Sequence, residues 1–104
     1  MLRESTRIYR ELGERLDLAM NLCRAARAAA ALGSAETAAR ILAGAEILRE
    51  EIGAGWAYWV VEMNDVTLGD IRARLDEAAF AEAWEQGGRL TVDEAVALAL
   101  DSLD

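Results

Sequence analysis

The chain has 104 residues, 54% of them hydrophobic and 29% charged, which describes one globular domain and neither two domains nor a disordered segment. Eleven Lys and Arg residues against nineteen Asp and Glu residues give a net charge of −8, which repels nucleic-acid phosphates and anionic membranes alike. Histidine is absent and Cys23 is the single cysteine, so Ser–His and Cys–His nucleophile pairs, an internal disulfide and a zinc site are all disfavoured. No metal or cofactor is expected.

Alanine abounds and proline is absent, both of which favour helix. The spacing predicts a first helix over Leu2–Leu12, with Ile8, Tyr9 and Leu12 on one stripe and Gly13 as its C-terminal stop. A second helix is predicted over Leu16–Leu32, where Leu16, Ala19, Met20, Cys23, Ala26 and Ala30 recur at steps of three and four. Arg24 and Arg27 lie off that stripe, toward solvent. Gly33 supplies the turn and Ser34 the next cap.

The third helix, Ala35–Ile52, carries Ala38, Ile41, Leu42, Ala45 and Leu48 on its apolar side. Gly44 in its middle implies a close helix crossing, and Gly53-Ala54-Gly55 stops it. Trp56–Leu75 opens with a strand-like aromatic and β-branched run, but Trp56, Trp59, Val60 and Met63 fit helical spacing. A helix is therefore expected, with an irregularity near Asn64–Gly69. A short helix follows from Glu77 to Gln86, capped by Asp76, with Phe80 and Trp84 one turn apart and Gly87-Gly88 as its end. The last helix opens on a capping box, Thr91 with Glu94, and runs to about Leu103. Its apolar residues lie on most sides, which implies burial or a partner. Six helices with short connections make an all-α fold of antiparallel helical hairpins.

The second and third helices, through ALGSAETAARILAGAEILREEIGA, Ala31–Ala54, resemble a tetratricopeptide repeat, two antiparallel helices with small residues where they cross. The small residue of the repeat's first helix falls on Ala26 and the turn glycine on Gly33. Ala38 and Ala45 match the two alanines of the second helix, with Leu42 the bulky residue between them. Leu22 and Ala29 stand where large aromatics are usual and the closing proline is missing, so the repeat is degenerate. Over Ile8–Leu100 the chain also resembles the C-terminal tail of large bacterial LuxR-type and related signalling-ATPase transcriptional regulators, most specifically in AFAEAW and LTVDEAVALAL. That resemblance implies residues 1–13 as the last helix of a preceding repeat, 14–55 as a tetratricopeptide-like hairpin and 56–104 as C-terminal capping helices. It carries over no catalytic or DNA-contacting motif.

Trp56, Tyr58, Trp59, Phe80 and Trp84 are the candidate partner or ligand patch, against the alternative that they fill the core. Cys23 reads as a small buried hydrophobe before it reads as a redox sensor. The glutamate groups Glu46, Glu50, Glu51 and Glu77, Glu82, Glu85 read as solvated faces before they read as acid–base or metal pairs. Arg24, Arg27 and Arg40 either line an anion groove or pair with neighbouring carboxylates, and Gly87-Gly88-Arg89 is a weak phosphate cradle against a helix stop.

Three functions compete. The first is a non-catalytic protein–protein interaction or scaffold module, part of a larger cytoplasmic regulator. The second is a free-standing helical homodimer, built on the apolar last helix and the Trp56 region. The third is a small-molecule sensor with a pocket near Trp56, Trp59, Phe80 and Trp84. No signal peptide or apolar run of about 20 residues is present, so a cytoplasmic location off the membrane is expected.

Overall fold

The computed structural model describes residues 2–53 and 55–102, with side chains over 14–53 and 55–101. Five helices account for nearly all of these residues: α1 (Leu2–Ala31), α2 (Ala35–Ile52), α3 (Tyr58–Arg74), α4 (Glu77–Gly88) and α5 (Val92–Ser102). The fold is all-α.

The first two expected helices are one. α1 runs through Gly13 without a break. A glycine inside a helix costs about 1 kcal/mol, which thirty residues of good helix formers absorb. The predicted stripe of Ile8, Tyr9 and Leu12 lies outside the described side chains.

α1 ends on Gly33, whose φ of 89° is left-handed. The Gly33 N–H donates to the Ala30 carbonyl at 3.1 Å and the Ser34 N–H to the Ala29 carbonyl at 2.9 Å, a Schellman closure of the helix end. Ser34, expected to cap α2 with its hydroxyl, makes no side-chain cap bond. Its backbone follows from the closing turn, with φ −89° and ψ 66°.

α2 then packs back along α1. Ala26, Leu42 and Ala45 are buried in one core cluster, Ala29, Ala30, Ala38 and Ala39 in a second. Most buried apolar residues are alanine, so the helices meet through small side chains. The largest fully buried side chains are Ile41, Leu42, Leu48 and Ile71.

α3 begins at Tyr58, two residues later than predicted, and is continuous to Arg74 with no irregularity at Asn64–Gly69. Its inner stripe is Val60, Asn64, Thr67 and Ile71, at helical spacing, and all four are buried. The Thr67 hydroxyl donates to the Met63 carbonyl at 3.0 Å, which satisfies it inside its own helix. Contacts pair Arg24 with Trp59, Cys23 with Asn64 and Arg27 with Asp70, so α3 runs in the direction of α1.

Asp76 caps α4 as predicted, its Oδ1 accepting from the Ala79 N–H at 2.7 Å. α4 does not stop before Gly87-Gly88 but includes both. The reason is packing: a Cβ at Gly87 would strike the Arg40 carbonyl oxygen and lie 2.7 Å from the Arg40 Cα and 2.8 Å from the Ala43 Cβ. α4 thus meets α2 backbone to backbone, and Gly44 makes a milder approach to α5, where an added Cβ would lie 3.3 Å from the Ala95 Cβ. The predicted capping box is present at α5: the Glu94 N–H donates to Thr91 Oγ1 at 3.1 Å and the Thr91 N–H to Glu94 Oε1 at 3.0 Å. α5 buries Ala95 and Ala99 and leaves Leu100 62% exposed.

Candidate functional site

α2, α3 and α4 enclose a groove of about 510 Å³. Leu42 and Glu46 come from α2, Asn64 and Leu68 from α3, and Trp84 from α4. Gly87 positions it, because the tight α2–α4 contact there fixes the angle at which the two helices part. The volume is that of a small-molecule site.

Glu46 organises one end. Its Oε1 accepts from the Trp56 indole N–H at 2.5 Å, and its Oε2 accepts from Arg49 Nε at 3.1 Å and Nη2 at 2.9 Å. The Arg49 guanidinium also lies 5.7 Å from the Trp56 ring. Trp56 is therefore clamped from two sides, although it precedes α3 and has no helix of its own to hold it.

Asn64 forms part of the wall. Its Nδ2 donates to Cys23 Sγ at 3.5 Å, while its Oδ1 is buried with no partner. The residue is 6% exposed, and a buried acceptor without a donor is costly. Burial, foremost, pushes the Cys23 thiol up to about 11; the Asn64 contact opposes this and the Glu46 charge adds to it. Cys23 is thus a protonated, enclosed thiol at neutral pH, a poor nucleophile.

The five aromatics singled out from the sequence do not form one patch. Phe80 and Trp84 stack at 5.6 Å with 26° between their planes. Trp84 faces the groove, whereas Phe80 lines a separate hollow with Leu75 and Arg72, whose guanidinium lies 5.1 Å over its ring. Trp56 is half-buried beside Glu46. Tyr58, 79% exposed, and Trp59, 45% exposed, are on the outer side of α3, with Arg24 5.1 Å over the Trp59 ring.

The arginines take separate partners. Arg27 pairs with Asp70, Arg40 with Glu36 at 3.6 Å and Gln86 at 2.8 Å, and Arg24 with Asn21 at 2.7 Å. Arg27, expected in solvent, is half-buried because α3 packs over it. Glu85 pairs with Arg89. Gly87 is occupied by the backbone of α2 and is closed to a phosphate. Among the described residues no three metal-ligating side chains converge, and no helix is long and apolar enough to cross a membrane.

The sequence reading missed Asn64. The signal was there: a polar residue on the stripe of Val60, Thr67 and Ile71, where an apolar one would suffice. No family model matches the chain, and no curated protein or solved structure matches it.

Proposed function

We propose that this chain is a non-catalytic interaction module whose binding surface is the outer side of α3, and that it forms the terminal part of a helical-repeat region in a cytoplasmic bacterial signalling or transcriptional regulator. The observation that carries the reading is the number of large apolar residues that α3 exposes. Val60 and Ile71 face the core, while Tyr58, Trp59, Val61 and Val66 stand in solvent at 79%, 45%, 42% and 58% exposure. Glu62 and Asp65 are exposed among them, and large apolar side chains left in solvent at this density mark a surface suited to a protein partner.

The order of the helices supports the repeat reading. α1 and α3 run in one direction with α2 returning between them, Ala26, Ala38, Leu42 and Ala45 are buried and Gly33 is left-handed, all of which is compatible with a tetratricopeptide-like hairpin. The net charge of −8 points to a protein partner and away from DNA contact by this segment.

The test is site-specific photo-crosslinking in cells from a benzophenone side chain at position 58 of the complete gene product, with exposed position 82 on α4 as control. A discrete adduct from 58 and none from 82 is expected. Equal or absent crosslinking from both positions defeats the assignment of α3. An adduct between two copies, matched by a dimer mass in light scattering over a tenfold concentration range, would make the partner a second copy of this chain.

A further inference from the structure

The α2–α3–α4 groove differs in kind from the outer side of α3. Its inner surface is apolar through Leu42, Leu68 and Trp84. Its charged lining is three carboxylates, Glu46, Glu50 and Glu85, against one guanidinium, Arg89. Arg89 is bound to Glu85, and Glu46 is held by Arg49 and Trp56. Glu50 is left at the rim, 63% exposed and 3.9 Å from Arg49. With Arg49 beside Glu46 and Glu50, three carboxylates stand against two guanidiniums, and the groove is mildly electronegative where it opens and hydrophobic within.

The second observation is Asn64. Its amide is anchored through Nδ2 on Cys23, and its Oδ1, enclosed at the inner end of the wall, has no donor among the described residues. The terminal torsion of an asparagine is soft, so a small rotation turns this oxygen to whatever fills the space beside it. An orphaned acceptor calls for a ligand with an N–H or O–H donor, and the carboxylates around it favour a donor that is also a cation on an apolar body. An anion would meet three carboxylates and no free donor, and a neutral hydrocarbon would leave Oδ1 as it is.

We propose that this groove binds a small organic ammonium ion, its apolar body against Leu42, Leu68 and Trp84, one N–H donated to Asn64 Oδ1 and its charge balanced by Glu50 and Glu46. Trp84 adds the face of an indole, on which a cation is also favoured. The site uses a different surface from the α3 interaction face and stands or falls without it.

Phenethylamine is the probe, titrated into the isotope-labelled full chain while the Asn64 side-chain amide and Trp84 indole N–H signals are followed by NMR. Saturable shifts at both signals are expected, with a dissociation constant of about 1 mM or tighter for so small a ligand. Two arms isolate the hydrogen bond. The trimethylammonium analogue keeps charge and ring but has no N–H, and should bind about tenfold more weakly or worse. Asn64→Leu removes the acceptor and should lose affinity to the same degree. Glu50→Gln, at an exposed position, should weaken binding several-fold at low salt and little at high salt. Absence of saturation, equal affinity for the trimethyl analogue, or shifts confined to residues outside the groove would each overturn the proposal. The analogue is tested on the unaltered protein, so its result holds however well the Leu variant folds.

Discussion

The close contact at Gly87 allows the same substitution to be given opposite signs at two places. Gly69 lies within α3 with nothing within 4 Å of the position its Cβ would take. Gly69→Ala should therefore return only the helix-propensity difference, a gain of about 1 kcal/mol. Gly87→Ala has the same propensity gain, but its methyl group would overlap the Arg40 carbonyl oxygen and sit 2.7 Å from the Arg40 Cα. Backbone cannot rotate aside as a side chain can, so α4 must lift from α2. Overpacking of this kind costs about 1–3 kcal/mol, and contact with backbone belongs at the upper end. The net effect should be a loss of about 2 kcal/mol. For a domain of this size each kcal/mol moves the midpoint by about 4–8 °C. Thermal and urea melts followed by circular dichroism should show Gly69→Ala melting several degrees above the parent and Gly87→Ala about 10 °C below it. A Gly87→Ala protein as stable as the parent would refute the backbone contact and with it the geometry of the groove.

Further outcomes follow from the same structure. Asp76→Ala removes the oxygen that accepts from the Ala79 N–H and should cost about 1 kcal/mol in the same melts. Because the Cys23 thiol is raised in the fold, its contribution is complete below an unfolded value near 9.0 and is lost as pH climbs toward about 11. Stability should fall by about 2–3 kcal/mol across that interval, and Cys23→Ala, though less stable, should lack this alkaline decline. At neutral pH an alkylating reagent should label Cys23 only as fast as the fold opens, a rate that rises with added urea; prompt labelling in native buffer would contradict its enclosure. The Glu94 carboxyl is lowered by its bonds from Thr91, so the capping box should hold above the ordinary carboxylate range and fail as pH falls through the lowered value. Glu94→Gln, which keeps the side-chain acceptor but has no carboxyl to titrate, should remove that acid sensitivity from unfolding curves.

Features that rest on chemistry within four residues were legible in the sequence. The Thr91–Glu94 box, the Asp76 cap, the left-handed Gly33 and the burial of Cys23, Ala26 and Leu42 are of this kind. The glycines show where local reasoning stops. Gly13, Gly33 and Gly87 look alike in sequence, yet the first is carried through α1, the second turns the chain and the third exists for the neighbour it meets. Only the α2 backbone distinguishes the third, and α2 lies more than forty residues away. The groove was invisible for the same reason: Trp56 to Glu46, Asn64 to Cys23 and Arg27 to Asp70 are pairings that helix packing creates. The five aromatics are each conspicuous in the sequence yet fall on separate surfaces, because spacing along a chain says which residues share a helix side and nothing about which helices share a groove.

The alanine-built contacts among α1, α2 and α4 have a mechanical consequence. A methyl group has no rotamers, so an interface made of Ala26, Ala38, Ala45 and Gly87 has no side-chain slack with which to absorb a shift of one helix against another. In a core of leucines and methionines, a tilt of a few degrees dissipates into repacked side chains. Here only a few long side chains, Ile41, Leu42 and Leu48 among them, can take it up, so α2, pressed by α1 on one side and α4 on another, is the stiffer for its alanines. A push received at the outer side of α3 or a ligand wedged beside Trp84 would therefore meet a frame that yields little by repacking.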